Sequence, residues 1–152
     1  MNLKILSLVI IGVCILLPDV CYAFLEKDVH LLNMQNGLAD NTVSAVYKDK
    51  EGFIWFGTRN GLSRYDGRQI TNFEQSNSYP SISNLKEVFD GVLAFVDNGV
   101  FSAFDLKKER FLSVVSSSGQ GIPSRGMLQK NDSLVWVISG SELHLMKRCA
   151  SK

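Results

Sequence analysis

The chain has 152 residues, of which 45% are hydrophobic and 20% are charged, and its formal net charge is +1. This is the composition of an ordinary globular protein with enough apolar residues for one modest core. Because the charge is close to zero and no long run of one sign occurs, the sequence excludes a dedicated nucleic-acid surface, which would be strongly basic on one face.

Residues 1–23 have the three-part layout of a secretory signal peptide. Lys4 supplies a positive charge, residues 5–17 form a continuous apolar run, and small residues stand three and one positions before Phe24. An apolar run of 13 residues is too short to span a bilayer comfortably, so an uncleaved anchor is the less favoured interpretation. We therefore expect the remainder, residues 24–152, to be exported.

The exported part opens with short strand candidates separated by turns. Val29–Leu32 is the first of these, and Asn36-Gly37 turns the chain after it. Val43–Tyr47 is the second, because apolar side chains alternate along it. Asp49–Gly52 then forms the turn into the most apolar stretch of this region.

That stretch, Phe53–Phe56, is a β-branched and aromatic run too short for a helix, which predicts a mostly buried strand. Asn60-Gly61 follows, a dipeptide that tolerates positive φ at both central turn positions and is a strong hairpin signal. Residues 62–65 and 70–73 are the next two strands, with a turn at Asp66-Gly67 between them. One such meander cannot bury its own face and needs neighbours of the same kind.

A second copy of the pattern, with a weaker match to it, follows a polar loop. Ile82–Leu85 resembles the opening of the first unit, and Asn84–Phe89 is predicted to form one helical turn at most. Gly91–Val96 is a second buried strand, and Asn98-Gly99 repeats the hairpin dipeptide 38 residues after its first occurrence. The recurrence at a fixed spacing indicates a repeated structural unit.

A third copy follows a linker at residues 116–121. Leu134–Ile138 parallels the buried strand of the first unit, with Trp136 at the place of Trp55. Ser139–Ser141 replaces the Asn-Gly turn, and two further leucines mark another strand. The third unit therefore has no candidate for an outermost strand.

A period of about 40 residues with four short strands per unit is typical of β-propeller blades. We expect an all-β fold of about three four-stranded antiparallel blades, with 24–152 as a partial propeller. The blades should lie roughly at residues 38–75, 80–115 and 121–152, and 29–32 should be a strand that closes the ring. Because propellers have at least four blades, we expect a fragment of a longer protein, with self-association through open blade edges as the alternative.

Several segments of the first unit resemble the repeat of the two-component regulator propellers. They are Asn41–Val46, Asp49–Gly52, Ile54–Thr58, Asn60–Leu62 and Arg64–Asp66. This family supplies the periplasmic sensor blades of hybrid two-component histidine kinases of Bacteroidetes. The match is close over this blade and weaker over the other two.

The resemblance implies a ligand-sensing propeller in the periplasm, belonging to a receptor that is anchored in the inner membrane. It implies an oligosaccharide from complex glycans as the ligand, and the missing blades and a kinase as the rest of the receptor. Since no kinase is encoded in this chain, the chain itself is not expected to be an enzyme. The alternatives are an exported propeller-fold glycosidase or lyase and a protein-binding scaffold.

No catalytic, cofactor-binding or metal-binding residues are predicted. His30 and His144 lack a second ligand at zinc spacing, and four aspartates fall at turns, where Asp hydrogen-bonds its own backbone. They are Asp49, Asp66, Asp97 and Asp105. Both tryptophans are expected in blade cores rather than stacked on a sugar. Arg59, Asn60 and Arg64 are expected to be exposed polar groups near a hairpin tip, and the ligand-binding residues stay unassigned.

Overall fold

The computed structural model of the chain describes residues 30–74 and 81–147. The predicted signal peptide, 1–23, lies outside these described residues. The chain divides into two compact units, Met1–Leu31 and Leu32–Lys152, and every strand described below belongs to the second unit. Across the described ranges, no helix is long and apolar enough to cross a membrane.

The described residues of this second unit form three antiparallel sheets, each a meander of neighbouring strands. A short 3-10 helix, Met34–Asn36, precedes them. Blade 1 contains β1 (Val43–Lys48), β2 (Ile54–Thr58), β3 (Gly61–Tyr65) and β4 (Ile70–Phe73). Blade 2 contains β5 (Ile82–Phe89), β6 (Val92–Asp97), β7 (Val100–Asp105) and β8 (Arg110–Leu112). Blade 3 contains β9 (Gly126–Asn131), β10 (Leu134–Ser139) and β11 (Glu142–Lys147).

The predicted all-β architecture of antiparallel sheets is confirmed. The single helical turn predicted over Asn84–Phe89 is wrong, because these residues lie in β5. Asn84 has a φ of 54°, and the register with β6 shifts twice along β5. These irregularities break the period-two alternation by which a strand is recognised. The closing strand predicted at 29–32 is not seen over 30–32, and residue 29 is not described.

The turn between β1 and β2 is organised by the side chain of Asp49. Its Oδ1 accepts hydrogen bonds from the backbone N–H groups of Glu51 (3.0 Å) and Phe53 (2.9 Å), and its Oδ2 accepts one from Trp55 Nε1 (2.8 Å). Both Asp49 and Trp55 are buried. A carboxylate suits this position because both of its oxygens accept, so it satisfies the turn and the buried indole together.

The contact between blades 1 and 2 is an apolar core rich in aromatic rings. Its buried members are Trp55, Leu62, Ile82, Leu85, Leu93, Phe95 and Phe104. The ring centroid of Trp55 lies 5.5 Å from that of Phe73, which stacks on it, and 5.5 Å from that of Phe104 in blade 2. These distances are those of favourable aromatic pairs. Trp55 therefore joins the two blades.

Gly57 allows the first strand of blade 2 to approach blade 1 closely. A Cβ at this position would lie 2.5 Å from Ile82 Cγ2 and 3.2 Å from the Cβ of Ala45. Beside it, the hydroxyl of Ser44 donates a hydrogen bond to the carbonyl oxygen of Ile82. Glycine is thus required because β5 occupies the space of a side chain.

A second core lies between blades 2 and 3. Its buried members are Val88, Ala94, Phe101, Ile122, Val135 and Val137. Hydrogen bonds reinforce it: Phe101 N donates to Ile122 O (2.8 Å), and Gln129 Nε2 donates to Val88 O (2.9 Å). Each blade is therefore buried against its neighbour in sequence.

We expect Asp49→Ala to lower the free energy of unfolding by about 3 kcal/mol, because it leaves a buried indole N–H and two turn N–H groups without their acceptor. Trp55→Phe should cost about 1 kcal/mol, since it removes one of these bonds and keeps most of the ring. Urea denaturation measures both. Asp66→Ala is the matched control, because exposed Asp66 also accepts from two backbone N–H groups. An Asp49→Ala cost no larger than that of Asp66→Ala would contradict the role given to the buried bond.

Candidate functional site

A cavity of about 460 Å³ opens between blades 1 and 2 at the turns that follow β1, β5 and β7. We call it the interblade cleft. Its charged lining residues are Asp49, Lys50, Glu51, Arg64, Glu87, Asp90, Lys107 and Glu109. The lining is completed by Phe53, Trp55, Gly91 and Leu106. The cleft thus combines a polar wall with an apolar floor, and its volume is in the range of small-molecule sites.

Arg64 lies in this cleft rather than at an exposed hairpin tip, so the expectation of an exposed side chain is wrong. Its side chain is 20% exposed, and Nη1 lies 2.7 Å from Glu109 Oε1 of blade 2. The guanidinium carbon lies 5.0 to 5.6 Å from the ring centroids of Phe53, Trp55 and Phe73. The register of β2 with β3 pairs Arg64 with Trp55, which places both on the face toward blade 2. Arg64 therefore packs on three rings of its own blade and makes one ion pair with blade 2.

Glu87 is the buried acid of the cleft, with a side chain that is 5% exposed. Its Oε1 accepts a hydrogen bond from Gly91 N (3.1 Å) and lies 3.4 Å from Lys50 Nζ. Its Oε2 is buried and has no hydrogen-bond partner in the described structure. Such an orphaned acceptor is uncommon in folded proteins.

Ion pairs continue from Glu87 across the mouth of the cleft. Lys50 Nζ also lies 3.8 Å from Asp90 Oδ1, and Lys107 Nζ lies 3.5 Å from Asp90 Oδ2. The Glu87 carboxylate raises the pKa of Lys50 above its ordinary value. These alternating charges connect the β1–β2 turn of blade 1 to two turns of blade 2.

A second cavity, of about 370 Å³, lies on the other side of Glu87 and reaches blade 3. Tyr47, Lys86, Gln129 and Asp132 are among its lining residues. Burial raises the pKa of the Tyr47 hydroxyl, and the nearby carboxylate of Glu87 raises it further. Glu87 thus stands between two cavities. Sequence reasoning missed it because it lies in the irregular strand β5, where no regular alternation marks a buried face.

The aspartates predicted at turns do not converge on one site. Asp66 and Asp105 each accept two backbone N–H bonds in exposed turns, and the carboxylate of Asp49 is saturated as described above. Asp97 differs, because it is the last residue of β6 and its Oδ1 is buried without a hydrogen-bond partner. Burial raises the pKa of Asp97. Of these four, only Asp49 lines the interblade cleft.

The other residues considered from the sequence lie apart from the cleft. Trp55 is in the blade core, as predicted, whereas Trp136 is half-buried with Lys130 Nζ 5.8 Å from its ring centroid. His30 is exposed, and His144 lies 3.3 Å from a carboxylate oxygen of its strand neighbour Glu142. Arg59 and Asn60 are exposed at the hairpin tip. Within 30–74 and 81–147, no three His, Cys, Asp or Glu side chains are grouped to hold a metal ion.

The chain shares its fold with two extracellular domains from B. thetaiotaomicron. One is from a protein described as the hybrid two component system BT3049, with a TM-score of 0.60, 20% identity, and coverage of 78% of this chain and 18% of that one. The other is from a protein described as the one component system BT4673, with a TM-score of 0.58, 15% identity, and coverage of 82% and 19%. The chain thus spans less than a fifth of either structure. No curated protein matches it.

These stacked meanders define the described chain as a segment of a β-propeller. Residues 37–60 match the family model described as Two component regulator propeller. The resemblance inferred from the sequence is therefore confirmed at this repeat, which contains the turn around Asp49 and the strand with Trp55.

Asp97→Asn tests the buried carboxylate through its pH dependence. Because burial raises the pKa of Asp97 in the folded state above its ordinary value of 3.8, the folded state binds the proton more tightly. The contribution of Asp97 to the free energy of unfolding is therefore greatest at low pH. It is lost as the pH rises through the folded-state pKa. We expect Asp97→Asn to be more stable than the wild type at pH 7 by about 0.5 kcal/mol, after allowing for solvent screening. Thermal unfolding from pH 3 to 7 measures this difference in stability. A stability advantage of Asp97→Asn that grows as the pH falls would contradict the prediction.

Three single substitutions test how Arg64 packs on the rings of blade 1 and pairs with Glu109 of blade 2. Arg64→Ala should cost about 2 kcal/mol, because it removes packing over three rings and an ion pair. Glu109→Ala should cost about 0.5 kcal/mol, since Glu109 is half exposed. Arg64→Lys should fall between them, as it keeps the charge and loses the planar stacking. If Arg64→Lys equals wild type in chemical denaturation, stacking contributes nothing.

Proposed function

We propose that this chain is part of the ligand-sensing propeller of a two-component receptor and acts by binding rather than by catalysis. The observation that carries the proposal is the regulator propeller repeat at residues 37–60, set in a chain with the fold of extracellular receptor domains. Residues 1–23 would direct export, which places the propeller in the periplasm. Because the chain spans less than a fifth of those domains, we assign further blades and the kinase to the remainder of the receptor.

The ligand class that suits the interblade cleft is a neutral oligosaccharide derived from glycans. Glu87 and Asp90 supply carboxylate oxygens that accept from sugar hydroxyls, while Lys50 and Lys107 supply ammonium groups that donate to them. Acids and bases alternate along this wall, so the cleft favours neither a strongly anionic nor a strongly cationic ligand. A polyhydroxylated molecule offers donors and acceptors in the same alternation.

The position of the cleft suggests how binding would be passed on. Lys50 belongs to blade 1, whereas its partners Glu87 and Asp90 belong to blade 2. A sugar that hydrogen-bonds to these groups replaces ion pairs that now cross the blade boundary. Binding would therefore alter how two rigid sheets sit against each other, and a rigid-body shift of this kind is a common receptor signal.

Binding of size-fractionated neutral oligosaccharides, measured by calorimetry on the purified chain, tests the proposal. We expect Asp90→Ala and Lys107→Ala to weaken binding about tenfold each, because each removes a hydrogen-bonding group to the ligand. Both side chains are largely exposed, at 66% and 74%, so the variants should fold normally.

Lys108→Ala is the matched control, because Lys108 is a neighbouring exposed lysine of the same turn that does not line the cleft. It should bind like the wild type. Equal binding by all variants would exclude the interblade cleft as the site. Absence of binding to every neutral fraction would contradict the proposed ligand class.

A further inference from the structure

An ammonium group of the chain itself lies between two carboxylates of blade 2, Glu87 and Asp90, which we call the carboxylate pair. Lys50 Nζ, from blade 1, is 3.4 Å from Glu87 Oε1 and 3.8 Å from Asp90 Oδ1. Lys107 Nζ lies 3.5 Å from the other oxygen of Asp90. Lys50 and the carboxylate pair line both the interblade cleft and the second cavity. The carboxylate pair is thus an accessible position that accommodates an ammonium group.

Lys50 fits this position loosely. Well-formed hydrogen bonds from an ammonium group to a carboxylate are about 2.7 to 2.9 Å long, and both distances from Lys50 Nζ are longer. The side chain of Lys50 is 69% exposed, so water competes for its ammonium group and the ion pair contributes little stability. Lys50 can therefore be displaced from the carboxylate pair at a low cost in free energy.

Glu87, in contrast, is buried and incompletely satisfied. Its side chain is 5% exposed, and its Oε1 accepts one hydrogen bond, from Gly91 N (3.1 Å). Its Oε2 has no hydrogen-bond partner among the residues that the structure describes. A buried carboxylate is costly unless it is paired with a positive charge and its remaining lone pairs accept hydrogen bonds. An ammonium group placed better than Lys50 Nζ would therefore bind favourably to Glu87.

The surroundings of the carboxylate pair favour positive charge. Among the described residues that line the interblade cleft, five are acidic and three are basic, which gives a net charge of −2. The Tyr47 hydroxyl beside Glu87 experiences the same negative potential, since its pKa is raised by burial and then by the Glu87 carboxylate. One ammonium group on a ligand would bring the lining closer to neutrality.

We propose that the carboxylate pair is a subsite for a primary ammonium group of the ligand, and that the ligand displaces Lys50 when it binds. The inference rests on the proposed sensing role and refines its ligand class, because the oligosaccharide would carry a free amino group on one sugar. The ammonium group donates to Glu87 and Asp90, and the hydroxyls of the same molecule bind in the rest of the interblade cleft. An N-acetylated sugar at this position has no charge with which to replace Lys50.

Calorimetry with two matched disaccharides tests the subsite. One disaccharide has a single free amino group and the other is its N-acetylated counterpart, and both are measured at about pH 6 to keep the amino group protonated. We expect the amino form to bind about tenfold more tightly, because it adds charge-assisted hydrogen bonds to two carboxylates. This ratio of affinities, the amine preference, should shrink as the salt concentration rises. Equal affinity for the two forms would overturn the proposal.

Two substitutions should change the amine preference in opposite directions. Lys50→Met removes the competing ammonium group and keeps an apolar stem, so it should raise the preference about fivefold. Asp90→Asn keeps an oxygen acceptor and removes the charge, so it should abolish most of the preference. Lys50 and Asp90 are both largely exposed, so the variants should fold normally.

The matched controls make the same changes of net charge outside the site. Lys48→Met and Asp66→Asn alter exposed residues that line neither cavity. Both should keep the amine preference of the wild type. If Lys48→Met raises the preference as much as Lys50→Met does, net charge alone explains the effect and the proposal is overturned.

NMR of the lysine side chains measures the displacement directly. The resonance of Lys50, assigned by its loss in Lys50→Met, should move on addition of the amino disaccharide toward the position of an exposed lysine. The N-acetylated form should move it much less. A Lys50 resonance that stays fixed while the amino form binds would overturn the displacement.

Ethylammonium chloride distinguishes this inference from the proposed function. Compared with sodium chloride at the same concentration, it should shift the Lys50 resonance, because the subsite recognises the ammonium group itself. If ethylammonium shifts Lys50 and neither disaccharide binds, the subsite stands and the proposed oligosaccharide ligand fails. If both disaccharides bind equally and ethylammonium leaves Lys50 unmoved, the oligosaccharide ligand stands and the subsite is overturned.

Discussion

Everything in this fold depends on the fact that a four-stranded meander has two apolar faces and cannot cover either one itself. Each face must be buried by another sheet, and the chain meets this requirement by placing the blades side by side. The molecule shows what happens to a face that no described blade covers. Trp55 and Trp136 occupy equivalent positions, yet only Trp55, which has a blade over it, is fully buried. The environment of a repeat residue is thus set by its neighbour as much as by its own strand.

The residues that make the repeat recognisable are mainly those that build the blade. Asp49 satisfies a turn and a buried indole, Trp55 fills the core between blades, and Gly57 leaves room for the next strand. All three lie in the segment that matches the family model. The polar and apolar groups of these three residues are engaged in contacts within the fold. The same motif is therefore compatible with many ligands. Recognition must come from the residues around this framework, which differ from blade to blade.

This division explains how much could be predicted from the sequence. Alternation and the turn dipeptides indicated the strands of blade 1 and the hairpins of all blades, because these signals are local. The pairing of Arg64 with Glu109 was beyond such reasoning, since it joins residues 45 positions apart in different sheets. Glu87 was missed for a related reason, because the irregular register of β5 hides which of its side chains point inward.

The arrangement of the interface also explains why a ligand could influence it. The contact between blades 1 and 2 has an aromatic core at its centre and ion pairs at the mouth of the cleft, where exposed Lys50 and Asp90 contribute little to stability. A ligand at this mouth can replace these ion pairs with its own hydrogen bonds without disturbing the aromatic core. In the proposed mechanism, the core would keep the two sheets together while the angle between them changes. A site placed within the core would have to unpack Trp55 to respond, which is far more costly than rearranging solvated ion pairs.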